Sequence, residues 1–194
     1  MPVRATVDHL AALPEPDNVD GATVVVGVRA GRTDDDAPGV DREVLAAAGF
    51  EGKTGQTTTV VTDDGIRILV GLGDAGPGVF RKVGAAAMKA AKGDGDVVID
   101  ALVDLEGSDR VTAAQALAEG LVLGSYAFTE YRKTPDDGWP TKAAVVGKGG
   151  KRVADAVARG EATAAAIGLV RDLVNTPGGD LTPVAFAKRA VDLA

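Results

Sequence analysis

Cysteine is absent from the 194 residues, and histidine occurs once, as His9. The first absence rules out a disulfide framework and thiolate metal sites, and it fits a reducing compartment. The second nearly excludes histidine-rich zinc sites and hydrolases that rely on a histidine base. His9 stands in the amino-terminal segment, where an ordinary surface or half-buried role is expected. The two serines, Ser108 and Ser125, lie outside any G-x-S-x-G elbow. Positive charge is short as well: 21 lysines and arginines stand against 28 acids, a net charge of -7. That balance opposes an electrostatic grip on phosphate backbones and makes nucleic acid an unexpected partner. No run approaches the ~20 apolar residues of a membrane span, and the amino terminus lacks the apolar core of a signal peptide. A cytoplasmic location with no membrane contact is the expectation.

What the chain does have is 45% apolar residues, enough for one folded core. Short β-branched runs alternate with alanine-rich stretches, the pattern of a layered α/β domain with a largely parallel or mixed sheet. Strands are expected at 4–7, 23–28, 57–62, 67–72, 96–102 and 142–147. Helices are expected from Asp41, from Val79 and from Thr112, whose hydroxyl suits an N-cap. The longest covers 151–174, where Val153, Val157, Gly160, Ala164, Ile167, Val170 and Val174 recur at steps of three or four and so share one face. Residues 32–39 and 134–140 read as polar loops punctuated by proline and glycine.

Several stretches invite a ligand. Gly71, Gly73 and Gly76 fit G-x-G-x-x-G after a strand, with Asp100 closing a later strand where a ribose-binding acid could stand. Pro77 and Gly78 delay the helix past the third glycine, so a turn that needs small residues is the preferred reading, with a phosphate or dinucleotide (ADP-ribose-like) site as the alternative. Residues 52–56, GKTGQ, resemble a P-loop, but Ala47 occupies the first glycine position and a helical stretch precedes it. The lysines of 145–152, Lys148 among them, lack an accompanying acid or base. Asp34, Asp35 and Asp36, Asp63 and Asp64, and Asp136 and Asp137 lack the alternating spacing of a calcium loop and read as solvated turns. No complete catalytic set emerges, and no catalytic or metal-ligating residue is assigned.

The stretch RDLVNTPGGDLTP, 171–183, carries dense stop-and-restart chemistry. Asn175 tolerates the left-handed conformation that ends helices, Pro177 cannot continue one, and Gly178 and Gly179 free the backbone to turn. Thr182 and Pro183 then cap and start a new helix.

Residues 158–190, and in particular Arg171 to Pro177 followed by Asp180 to Pro183, resemble the linker region of leucyl (cytosol) aminopeptidases. Weaker matches lie at 68–73 and 117–133. The resemblance implies a non-catalytic, macro-domain-like α/β domain at 1–150, with 151–194 forming a linker helix and the start of a peptidase domain that would follow. It further implies a cytoplasmic homo-hexamer with two divalent metals, zinc or manganese, that removes N-terminal residues from peptides. Metals would be held in the catalytic part by carboxylates and a lysine. The VGKGG at 146–150 departs from that pattern after four letters, so Lys148 does not inherit the lysine's role.

Overall fold

The computed structural model describes residues 9–13, 22–32, 36–37, 40–62, 65–93, 95–102, 105–132, 138–140 and 142–193. The strand expected at 4–7 lies outside them. A six-stranded sheet runs in the order β1-β6-β5-β2-β4-β3. Its strands are β1 (His9–Leu13), β2 (Thr23–Arg29), β3 (Thr57–Thr62), β4 (Gly65–Gly73), β5 (Val97–Asp100) and β6 (Lys142–Val146). All neighbouring pairs are parallel except β3 with β4. Valine-rich β2 and β5 are central, and Val25, Val28, Val97, Val98 and Ile99 are buried there.

The helices are α1 (Arg42–Ala47), α2 (Phe80–Ala90), α3 (Gly107–Gly124), α4 (Lys151–Asn175) and α5 (Pro183–Leu193). Asp41 caps α1 by accepting the Glu43 amide at 2.8 Å. A short 3-10 turn, Pro77–Val79, precedes α2 and delays it as the proline demands. One face of the sheet packs through Ile68, Val70 and Ile99 against Phe80 and Met88 of α2, Leu117 and Leu121 of α3, and Val153 and Val157 of α4. The other face carries a smaller cluster of Leu45, Phe50, Val60 and Leu69 beneath α1.

Helices α2, α3 and α4 approach one another at glycines. A Cβ at Gly84 would stand 2.4 Å from the Leu117 carbonyl oxygen, one at Gly120 2.1 Å from that of Arg81, and one at Gly160 2.4 Å from that of Gln115. Glu119 is buried beside this seam, where Arg81 Nε donates to its Oε2 at 2.8 Å and Gln115 Nε2 to its Oε1 at 3.2 Å. The carboxylate is thereby matched with donors rather than left unpaired in the core.

Three expectations need correction. Helix α3 starts at Gly107, five residues ahead of Thr112, whose hydroxyl donates to the Ser108 carbonyl at 2.9 Å instead of capping. The strand β1 was not expected, because HLAAL contains no β-branched residue; pairing with β6 overrides that preference. His9 opens it, opposite Lys142. Asp36 is no solvated turn residue: it is buried, and Nε and the backbone N–H of Arg29 both donate to its Oδ2 at 2.8 Å. The remaining acids of these clusters fall outside the described residues.

Candidate functional site

The glycine stretch after β4 and the GKTGQ stretch, each weighed separately for phosphate binding, are packed on one another. The Gly55 amide donates to the Gly71 carbonyl at 2.8 Å, the Gly71 amide to that of Gln56 at 2.7 Å, and the Gly73 amide to that of Gly52 at 2.9 Å. A Cβ on Gly71 would stand 2.0 Å from the Lys53 carbonyl oxygen, and one on Gly73 2.2 Å from Thr54 Oγ1. The 52–56 loop leaves no room for a side chain at either position, and Gly73 also takes a φ of 62° that favours glycine. Gly76 has an ordinary φ of -62° and room for a Cβ, which would meet only Asp74 at 3.7 Å or more; the left-handed residues of the turn are Gly73, at φ 62°, and Ala75, at φ 56°. The backbone donors that would cradle a pyrophosphate at Gly71 and Gly73 are already engaged.

Asp100 ends β5, and burial raises its carboxyl above the ordinary aspartate range. A raised folded-state value means that its contribution is favourable when protonated and is lost as pH rises through that value. Asp100→Asn is therefore expected to stabilise the fold at pH 8 by about 1 kcal/mol, with the gain vanishing towards pH 4. Denaturant midpoints across that range read the trend; a gain that grows on acidification contradicts it. Ser125 is buried, with its hydroxyl donating to the Val122 carbonyl at 3.0 Å. The Lys148 carbonyl accepts from Arg110 Nη1 at 2.8 Å at the start of α4. Among the described residues no group of three or more His, Cys, Asp or Glu could hold a metal ion.

The best-organised polar constellation is at the other end of the molecule, where the 171–183 stretch meets the segment following α3. Tyr126 donates its hydroxyl to Asp172 Oδ1 at 2.8 Å and accepts from Asn175 Nδ2 at 3.4 Å. The Arg171 guanidinium lies over its ring, 5.2 Å from the centroid. Burial and the Asp172 carboxylate both raise the Tyr126 phenol above its ordinary range. Tyr131 donates to Asp180 Oδ2 at 2.6 Å, and this hydrogen bond pushes its phenol up to about 12. Arg189 of α5 reaches Glu130 at 3.8 Å.

The helix end is built differently from the expectation. Asn175 closes α4 without a left-handed turn; Thr176 is extended (φ -73°, ψ 123°), and its hydroxyl donates to the Asp172 carbonyl at 2.6 Å. Neither Gly178 nor Gly179 takes positive φ. Thr182 does cap α5, accepting from the Ala185 amide at 3.3 Å. Beyond this clasp, Val170, Val174 (78% exposed), Val184 (80%), Phe186, Val191 and Leu193 are bare, and α5 has no buried residue.

Residues 24–135 match the N-terminal domain of the cytosol aminopeptidase family. The chain belongs to that family. A probable cytosol aminopeptidase of Mycobacterium sp. (strain KMS) is 33% identical over 208 residues, covering 98% of this chain and 37% of its own length. The chain thus spans about a third of the curated relatives it matches. The bottromycin maturation enzyme BotP, solved in complex with Mn, is 34% identical with a TM-score of 0.73, over 90% of this chain and 36% of that one. A tomato leucine aminopeptidase mutant, at 23% identity, shares the fold with a TM-score of 0.77 over 96% of this chain and 42% of its own. The cytosol aminopeptidase match at 24–135 includes Tyr126 and Tyr131 of the clasp. Among the described residues no helix is long and apolar enough to cross a membrane.

Proposed function

We propose that this chain is the non-catalytic amino-terminal part of a leucyl aminopeptidase, a cytoplasmic two-metal exopeptidase releasing N-terminal amino acids from peptides. Its role is assembly and the shaping of access to active sites carried by a C-terminal catalytic domain, in a homo-hexamer. Zinc or manganese would be bound in that catalytic domain, where such a pair activates water and polarises the scissile carbonyl. The division falls near residue 150, with 151–194 as the linker helix and the start of the next domain.

The observation that carries this reading is the contrast at the carboxyl end. The clasp of Tyr126, Asp172 and Asn175 fixes the end of α4, while Val174, Val184 and Phe186 remain uncovered next to it. Apolar side chains clustered beside a rigid polar anchor suit a surface that another folded body covers. The dinucleotide alternative is weaker, since Gly71 and Gly73 are covered by the 52–56 loop.

The 194-residue chain incubated with leucine amide and manganese or zinc is expected to release no leucine. Fused in place of the amino-terminal third of the mycobacterial relative, it is expected to give a soluble, active peptidase. In that fusion, Val174→Asp with Phe186→Asp should lower activity at least tenfold. Metal-dependent hydrolysis by the chain alone, or a fusion indifferent to those changes, would refute the reading.

A further inference from the structure

Strand β3 is the outer edge of the sheet, and among the described residues nothing pairs with its free side. Edge strands are ordinarily guarded by charge, proline, a bulge or brevity. This one reads TTTVVT: six residues without charge or proline, in unbroken register with β4 from Thr57↔Val70 to Thr62↔Gly65. Both the N–H and the C=O of Gly71 bond toward the 55–56 backbone. By alternation along an antiparallel ladder, residues 65, 67 and 69 of β4 also bond toward β3. Their partners 58, 60 and 62 use their backbone groups inward, leaving those of Thr57, Thr59 and Val61 directed outward.

The same three residues share a face with Val70, Ile68 and Ile66, the side of the sheet covered by α2. Helix α2 shelters Ile68 and Val70, but Val61 is 83% exposed and Ile66, opposite it, 61%. Towards the start of β3 lies a groove of about 450 Å³, whose lining includes Gly55, Thr57, Ala85 and Ala86 between Lys82 and Lys89. One end of the edge therefore carries an apolar projection, and the other an indentation walled by small residues.

We infer that β3 pairs antiparallel with β3 of a second copy about a two-fold axis through Thr59, setting Val61 of each copy into the groove beside Thr57 of the other. Several registers would set outward residues opposite one another, and the one centred on Thr59 engages Thr57, Thr59 and Val61 together within the strand. A two-fold pairing places residues of matching orientation opposite one another, so Thr59 meets its own counterpart and Thr57 meets Val61. Each outward residue then donates and accepts once across the axis. Such a contact is self-complementary, as a two-fold interface must be. The inference is independent of the peptidase reading, because it concerns an edge remote in sequence from the clasp and from the bare residues of α4 and α5.

Sedimentation equilibrium of the 194-residue chain, from about 1 to about 300 µM, tests it. The expected result is a reversible dimer. Val61→Lys fills the groove with like charge, and Thr59→Pro removes the central N–H while leaving the ladder to β4 intact. Each should raise the dissociation constant at least tenfold with an unchanged circular dichroism spectrum. Should the proline variant unfold, Val61→Lys decides alone. Val174→Asp should leave the dimer as it is. A monomer throughout the range overturns the proposal, as does association that is indifferent to the β3 variants or is lost only with Val174→Asp.

Discussion

Gly120→Ala is expected to destabilise the domain by about 3 kcal/mol, seen as a fall in melting temperature of about 8 °C. The sign is informative, since replacing glycine by alanine inside a helix ordinarily stabilises by up to about 1 kcal/mol. Here the new methyl would meet the Arg81 carbonyl oxygen at 2.1 Å and the Arg81 carbonyl carbon at 2.9 Å. These are backbone atoms of α2, so no rotamer change relieves the overlap; the helices must separate and loosen the core around Leu117 and Phe80. Gly78→Ala is the control, because that position has open space and no positive φ. It should melt within about 0.5 kcal/mol of the parent. Equal melting of the two variants would mean that α2 and α3 are not in glycine contact.

Asp36→Ala should cost about 3 kcal/mol. The Asp36 side chain is 2% exposed and that of its partner Arg29 17%, so the deletion removes the carboxylate of a largely buried ion pair. Burial by itself would raise the Asp36 carboxyl, but the hydrogen bonds and charge of Arg29 outweigh it and hold the group below the ordinary aspartate value of 3.8. With the folded value depressed, the stabilisation is complete at neutral pH. It is lost as pH falls from about 3.8 through the folded value. Urea denaturation at pH 7 and at pH 3 should therefore show the Asp36→Ala penalty shrinking on acidification. A penalty of the same size at both would assign the effect to packing alone. Replacing Arg29 and Asp36 together by leucine should cost less than the single change, since neither charge is then left behind.

Much of the layered α/β arrangement was legible because β-branched runs and alanine-rich helices announce their periods. The valines of β2 and β5 mark central strands, and Val153, Val157, Gly160 and Ala164 of α4 do pack inward on one face. The same stripe continues through Val170 and Val174 into solvent, which periodicity cannot reveal: it marks which residues want cover, not whether cover is there. Strand β1 was hidden because alanine and leucine favour helices, and its pairing partner is more than a hundred residues away. The start of α3 was hidden because Gly107 opens it without a capping side chain. Asp36 sits in a stretch of turn-like composition, and nothing local distinguishes an acid that will fold back on Arg29 from its neighbours.

The candidate site was legible in a different sense. Residues 171–183 stood out as a motif, and the restart at Thr182 and Pro183 follows from cap chemistry alone. Their partners, Tyr126 and Tyr131, lie some fifty residues earlier, and nothing local in the sequence marks those phenols as partners of this stretch. The glycine run reads as a turn that needs small residues, and a Cβ would clash at Gly71 and Gly73 but not at Gly76. Only the structure shows that another part of the chain, the 52–56 loop, is what the Cβ would meet.

In sheets of parallel strands, ligands commonly enter over the carboxyl ends. At the carboxyl end of β4 that entrance has a permanent tenant, hydrogen-bonded through Gly52, Gly55 and Gln56. A nucleotide arriving there would have to evict backbone rather than displace water. Any effort to endow this scaffold with cofactor affinity should begin by shortening that plug, not by decorating the glycines beneath it.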